Sequence, residues 1–332
     1  MGTPNHARGT VPDDGRGRLA AQPGGFLVLM EVINAMEKPR ALITGVKGFT
    51  GQYVAAELQA HGWSVFGIGS QPDTSDPSYR CVDLLDVEGL HGAVANVQPD
   101  VVVHLAAIAF VGHGDTEAFY RVNLLGTRNL LAALAGAQHK PRCVLLASSA
   151  NVYGNATGGV LTEETPPNPV NDYAVSKLAM EYMARLWMDK LPLVIARPFN
   201  YTGVGQSTDF LLPKMAAHFR ERAESIQLGN LDVWRDFSDV RAVVHAYRRL
   251  LQVCPAGATV NVCSGNTHSL REVLHMMERI SGHVVDVRVN PAFVRANEVR
   301  SLSGNPAKLR GLIGDWQVPA LEDTVRWMLE AA

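Results

Sequence analysis

A chain of 332 residues, 47% hydrophobic and 19% charged, has ample material for a folded core, in one large domain or two coupled ones. A formal net charge of −2 argues against nucleic-acid partners or an anionic membrane, and no stretch approaches the roughly 20 apolar residues needed to cross a bilayer. The four cysteines (Cys81, Cys143, Cys254, Cys263) lack metal or redox spacing, which predicts no metal site and a reduced, cytoplasmic protein.

Residues 1–25 are rich in Gly, Pro, Asp and Arg without apolar periodicity, so 1–36 is expected to be a disordered extension, with Met30 and Met36 as alternative start positions. Residues 40–44 form an apolar strand running into a glycine turn. A helix over 49–61 and a strand over 63–68 follow. Apolar runs at 101–106 and 143–147 read as buried strands separated by a helix over 117–135. A helix over 172–189 leads to a strand at 193–196. Beyond residue 200 the pattern loosens, with helices expected at 211–224 and 269–281 and a late strand at 259–263. Strands alternating with helices of this length predict βαβ units, an α/β class with a parallel sheet.

Gly45, Gly48 and Gly51 follow a strand and open a helix with Phe49 and Thr50, where small residues let a pyrophosphate approach the helix N-terminus. Asp83 and Leu84 lie past the second strand, where a carboxylate meets an adenine amino group. Leu105, Ala106 and Ala107 suit the lining of a cofactor; His104 reads as a core residue, and Asn123 as a tie between backbone segments. The second strand ends at Ser70 without an acidic residue to hold a ribose 2′-hydroxyl, which leans toward NADP, with NAD possible. Tyr173 and Lys177, four residues apart, share a helix face, and the ammonium is expected to lower the phenol from about 10 toward working pH.

The glycine turn, His104-Leu-Ala-Ala107, Ser148-Ser-Ala-Asn-Val-Tyr-Gly154, the Tyr173/Lys177 pair and Arg197-Pro-Phe-Asn200 stand in the order found in extended short-chain dehydrogenase/reductases, which the chain resembles over about 38–330. The stretches 197–206, 229–241 and 295–306 resemble the GDP-sugar branch of that family, which holds GDP-mannose 4,6-dehydratases and GDP-4-keto-6-deoxy-mannose reductases. The resemblance implies a doubly wound Rossmann sheet of about seven strands, with a dinucleotide-binding domain from 37–200 and 235–265. A smaller C-terminal substrate domain would comprise 201–234 and 266–332. It also implies a homodimer paired through the helices at 117–135 and 172–189.

By the same resemblance, Ser149 bonds the C4 oxygen of a nucleotide sugar, Tyr173 supplies its proton, and Lys177 holds the nicotinamide ribose and polarises Tyr173. Arg197 joins the cofactor-binding set. Arg235 and Arg295 grip the diphosphate, Asn200 and Lys214 line the cleft, and Glu298 accepts from the nucleotide ribose. Ala296 stands where relatives often carry Pro. Dehydratases of the family place a carboxylate just after the catalytic Ser or Thr for the elimination step. Here Ala150 and Asn151 follow Ser149, and neither exchanges a proton near neutral pH. The expected activity is therefore reduction of the C4 ketone of a nucleotide-linked 4-keto-6-deoxy sugar, GDP-linked for preference. A 4-epimerase with bound NAD, a GDP-mannose 4,6-dehydratase and a non-enzymatic NADP-binding regulator stay open as alternatives, as does the product's C4 configuration.

Overall fold

The computed structural model describes residues 1–2, 38–109, 114–155, 159–293 and 299–331. Apart from Met1 and Gly2, the expected N-terminal extension lies outside the described residues. Pro39–Ala332 forms one unit.

Arg40–Thr44 (β1), Ser64–Gly69 (β2), Tyr79–Cys81 (β3), Val101–His104 (β4), Cys143–Ala147 (β5) and Leu193–Pro198 (β6) come first. The short strands Asn200–Thr202 (β7), Ser225–Leu228 (β8) and Trp234–Asp239 (β9) follow, then Thr259–Val262 (β10). Thr267–Ser269 (β11), Asp286–Val289 (β12) and Ser301–Leu302 (β13) complete the set. The main sheet has the order β3-β2-β1-β4-β5-β6-β10, and all its pairings are parallel. This is the seven-stranded Rossmann sheet expected. Strand β3 escaped the sequence reading because it has three residues and only Tyr79 of them is buried.

The helices are Phe49–Ala60 (α1), Val87–Val97 (α2), Thr127–Gly136 (α3), Asp172–Arg185 (α4), Leu211–Arg220 (α5), Val240–Val253 (α6), Leu270–Ser281 (α7), Ala307–Ile313 (α8) and Leu321–Glu330 (α9). Two end earlier than expected. Residues 186–190 after α4 are turns, and Arg222, at φ 51°, breaks the chain between α5 and β8. Just before α3, Thr116–Ala118 is α-helical and Phe119–Gly126 is π-helical, so one continuous run carries an irregular middle.

Covered strands read as continuous apolar runs because each face packs on helices. Ala41, Ile43, Val101, Val103 and Leu145 face α1 and α6 through Leu58, Val243, Tyr247 and Leu250. Leu42, Val102, Val144 and Leu146 face α2, α3 and α4 through Leu90, Leu130, Leu134 and Met180. The alternation is the period of two that a pleated strand imposes. A third core joins α5, α7 and α9 with β8 through Met215, Phe219, Val273, Met277 and Val325. By contrast, Leu309 and Ile313 of α8 and Trp316 belong to the first core, and the Trp316 indole donates to the Ala242 carbonyl at 2.9 Å. Among the described residues no helix is long and apolar enough to cross a membrane.

Candidate active site

The carboxyl ends of the central strands gather most of the predicted residues. At the end of β1 the backbone turns through Gly45 at φ +71°, where a Cβ would sit 2.9 Å from the Ala106 nitrogen. A Cβ on Gly51 would sit 2.2 Å from the Gly45 carbonyl oxygen, so the turn closes on itself only with glycine. Gly48 is the N-cap of α1, and no side chain caps the helix. The first-turn N–H groups therefore remain donors for an anion, which fits a cofactor pyrophosphate. Phe49 stacks on Tyr201 with ring centroids 6.2 Å apart, and the Thr50 hydroxyl pairs with the Tyr201 hydroxyl at 2.8 Å.

The loop after β4 is fixed against this turn. The Thr44 hydroxyl accepts from the backbone nitrogens of Leu105 and Ala106, both at 3.1 Å. His104 bridges Thr44 through Nδ1 (2.7 Å) and Thr127 through Nε2 (2.8 Å). The Thr127 hydroxyl donates to the Asn123 carbonyl, so Nε2 carries the proton and Nδ1 accepts from Thr44. Burial, with the Lys177 charge adding to it, drives His104 down to about 3, which keeps the ring neutral and structural. Asn123, inside the π-helical stretch, clamps the same loop. Its Oδ1 accepts from Ile108 N at 2.9 Å, and its Nδ2 donates to Ile108 O and to Ser176 Oγ. Ala107 lies within the clamped stretch.

The other cofactor candidates lie along the β2 and β3 ends. Ser70 is exposed, and its carbonyl accepts from the Cys81 thiol at 3.5 Å. Asp83 is exposed and accepts from Leu85 N at 2.8 Å, while Leu84 is buried in the second core. Lys47, inside the glycine turn, was not singled out from sequence. It pairs with Asp73 at 2.6 Å and lies 4.0 Å above the Tyr79 ring.

Ser149 caps the short 3₁₀ helix Ala150–Tyr153, and its hydroxyl accepts from Asn151 N at 3.1 Å. Tyr173 and Lys177 sit in the first half of α4, whose N-cap Asn171 accepts from Ala174 N. All three side chains are buried, and the Ser149 hydroxyl is hydrogen-bonded to Tyr173. The expected lowering of the phenol is reversed: burial pushes Tyr173 up to about 12, against the Ser149 hydrogen bond. Desolvation of the ring is the main cause, and the Lys177 ammonium for its part donates to the Ala147 carbonyl, 2.8 Å away. Burial also brings Lys177 down to about 8, against the upward pull of Glu181.

Arg197, expected in the cofactor-binding set, is held by other side chains of the chain. Its guanidinium forms a two-point pair with Glu181, at 2.9 and 2.6 Å, and donates to the Tyr153 hydroxyl at 2.9 Å. It is 3% exposed, with these donors directed at Glu181 and Tyr153. Glu163 is likewise committed, since it accepts from the backbone nitrogen of Asn261 at 2.7 Å.

The substrate candidates are held on other elements. Asn200 is exposed on β7 opposite Phe237. Lys214 of α5 donates to the Gln227 carbonyl at 3.0 Å and lies 4.7 Å from the Phe293 ring. Arg235 of β9 donates to the Trp234 and Arg300 carbonyls at 2.9 and 3.2 Å. Lys214 and Arg235 thus touch the two chain segments that flank 294–298. Arg295, Ala296 and Glu298 lie outside the described residues. Sequence reasoning missed Lys47, Tyr153, Glu181, Tyr201 and Asn261. Only Glu181 left a signal, its position one turn beyond Lys177 on the same helix face.

Comparison with known proteins places this geometry among relatives. Residues 42–328 match the GDP-mannose 4,6 dehydratase family. The chain is 35% identical over 303 residues to GDP-6-deoxy-D-mannose reductase of Pseudomonas aeruginosa, covering 88% of this chain and 95% of that one. It is 32% identical over 277 residues to GDP-6-deoxy-D-talose 4-dehydrogenase of Aggregatibacter actinomycetemcomitans, covering 83% and 92%. Among solved structures, a putative epimerase from Burkholderia cenocepacia superposes with a TM-score of 0.83 at 55% identity, covering 88% and 97%. RMD from Pseudomonas aeruginosa complexed with NADPH superposes with a TM-score of 0.76 at 32% identity, covering 88% and 98%.

Proposed function

The chain belongs to the GDP-mannose 4,6-dehydratase family of extended short-chain dehydrogenase/reductases, and on that premise we propose that it is an NADPH-dependent 4-ketoreductase of a GDP-linked 4-keto-6-deoxy sugar. The observation that carries this reading is the loop after Ser149. Ala150 is buried there, Asn151 turns its amide onto the Ser149 hydroxyl, and Glu163 is tied to the Asn261 backbone. Eliminating the C6 hydroxyl requires a group that exchanges protons at that place, whereas ketone reduction does not.

In the proposed reaction the reduced nicotinamide supplies the hydride, and the chain's own residues do the rest. Ser149 donates to the C4 oxygen and orients it. Tyr173, a neutral phenol at working pH, holds the proton that the oxygen takes as negative charge develops. Lys177, close to Tyr173 and charged below about 8, stabilises that charge and holds the nicotinamide ribose. Gly45, Gly48, Phe49, Thr50 and Gly51 hold the pyrophosphate end. Ser70, Asp83 and Leu84 line the adenosine end, and Leu105, Ala106 and Ala107 form the wall. Arg235, Arg295, Lys214, Asn200 and Glu298 would serve the sugar nucleotide, in a substrate region built around the third core. NADP is the preferred cofactor in this reading, with NAD as the substitute.

The proposed assembly is a cytoplasmic homodimer. Leu125 of the π-helical stretch, Val175 and Tyr182 of α4 and Leu186 just beyond it are exposed apolar side chains on two packed helices, with Leu186 at 77%. Pairing this face with its copy would cover them.

The deciding experiment supplies GDP-4-keto-6-deoxy-D-mannose with NADPH and follows oxidation of the cofactor at one equivalent per sugar, with NMR of the product to fix its C4 configuration. Absence of NADPH consumption, together with NAD that stays bound through purification and interconverts C4 epimers, would replace the reductase by an epimerase.

A further inference from the structure

The buried ion pair behind Ser149 takes no part in the steps above. Glu181 is fully buried, and its Oε1 accepts from the Ser148 hydroxyl and from Arg197 Nε, while Oε2 accepts from Arg197 Nη2. Arg197 Nη1 donates to the Tyr153 hydroxyl, and that hydroxyl donates to Asn261 Oδ1 at 2.7 Å. One network therefore joins α4, the residue after β5, the 3₁₀ turn, β6 and β10. Ser148 and Tyr153 bracket Ser149 in sequence. Glu181 stands four residues after Lys177 and eight after Tyr173, on the same helix face.

A buried ion pair is weak evidence for stability, because desolvation of both charges offsets their attraction. An apolar pair of similar volume could fill the same space. It could not bind α4, β6, Ser148 and the 3₁₀ turn at fixed angles, nor place a negative charge one helical turn from an ammonium. We propose that Glu181 is a positioning residue for the reduction: it holds the Ser149 loop and the Tyr173–Lys177 helix in one register. The proposal rests on the roles given above to Ser149, Tyr173 and Lys177.

The groups around Lys177 are few. Tyr173 and Glu181 share its helix, and His104 at the end of β4 is neutral. Arg197 on β6 has its charge taken up by Glu181, and Tyr201 of β7 lies beyond Tyr173. Glu181 is thus the one anion among the described residues that favours the charged ammonium, its charge shared with Arg197, and its neutralisation would leave the Arg197 cation uncompensated nearby.

Glu181→Gln keeps the shape and an acceptor for Ser148 but removes the charge. It should lower kcat about ten- to a hundredfold, the scale of a small misplacement in an active site, with KM for the sugar nearly unchanged. It should also move the basic limb of the kcat profile to lower pH, because Lys177 loses the neighbour that favours its charged form. A purely structural residue would lower the melting temperature and leave that limb in place. Tyr153→Phe removes two hydrogen bonds and no charge, so kcat should fall about thirtyfold at most, the worth of two ordinary hydrogen bonds, with the limb unmoved. NADPH binding followed by cofactor fluorescence across pH needs no sugar, so it reads the Lys177 shift even if the substrate is misassigned. A native protein that reduces no 4-keto sugar would sink the functional reading alone. Folded Glu181→Gln protein with native kcat and native pH dependence in both measurements overturns the positioning role. Should that variant not fold, native kcat in Tyr153→Phe overturns it instead.

Discussion

The Lys177 ammonium donates to the Ala147 carbonyl across 2.8 Å, which fastens the helix carrying Tyr173 to the strand end two residues before Ser149. The bond lies in the interior, and burial brings Lys177 down to about 8 while it raises Tyr173 to about 12. In the proposed reaction the proton for the ketone oxygen would therefore be secure on the phenol, and Lys177 would be the group that titrates first.

Reduction should accordingly hold up to about pH 8 and decline as Lys177 loses its proton above it. The sign for stability is opposite. Folded Lys177 binds its proton more weakly than the unfolded chain does, so its burial cost is felt below about pH 8 and relieved as the pH rises toward 10.5. Tyr173, raised from 10.0 to about 12, withdraws stability as the pH climbs through that range. Lys177→Met should raise the melting temperature at pH 7 while abolishing turnover. A lower melting temperature there would contradict the assignment of the shift to burial.

Tyr173→Phe should reduce kcat by about 10²–10⁴-fold, the usual share of general acid catalysis, with NADPH affinity close to native. The hydroxyl acts on charge that develops only in the transition state, so its loss belongs in kcat. Stopped-flow NADPH oxidation beside a fluorescence titration separates the two effects. A kcat near native would remove Tyr173 from the chemistry.

Arg235→Ala should raise KM for the GDP-sugar roughly ten- to a hundredfold, the range of a hydrogen bond to a charged group, and leave NADPH binding unchanged. Its guanidinium contacts two backbone carbonyls on a partly exposed strand, so the fold should survive. Equal weakening of NADPH would place Arg235 at the cofactor.

Incubation with GDP-mannose and NADP⁺ should yield no accumulating 4-keto product. The carboxylate of Glu163 is engaged with the Asn261 backbone, and Ala150 and Asn151 fill the place after Ser149. Steady loss of water from the sugar, read by mass spectrometry, would require an acid elsewhere in the chain, with Glu163 or the exposed Glu164 the first suspects, and would overturn the reductase reading.

Leu125→Glu combined with Leu186→Glu should turn a dimer into a monomer in light scattering, with circular dichroism unchanged because both side chains are exposed. A native protein already monomeric at micromolar concentration would rule out the pairing.

Much of this was legible in the residues because the sheet is buried on both faces. Strands β1, β4, β5, β6 and β10 announce themselves as apolar runs, and the glycine turn follows where a strand must become a helix. Strands of two or three residues such as β3, β7 and β13 leave no such pattern, since their pairing is decided by distant neighbours. Tyr173 shows the same limit in its chemistry. Sequence displays the lysine four residues on, but not the desolvation that outweighs it. Arg197 reads as a ligand for something external until Glu181, on another element, is seen to occupy it.

The π-helical stretch Phe119–Gly126 sets the phase of everything around Asn123. An extra residue is accommodated there by i→i+5 bonding, which rotates one end of the helix relative to the other. Removing a single residue would let the run relax to an ordinary helix and swing Asn123 by about 100° away from Ile108 and Ser176. The helix would gain regularity, and the loop after β4 would lose its Asn123 link to α4, leaving the Tyr120–Asp172 hydrogen bond to hold this stretch to that helix. Tolerance to substitution and tolerance to deletion should therefore diverge sharply in this segment: side chains such as the exposed Leu125 can change freely within one protomer, but the number of residues cannot.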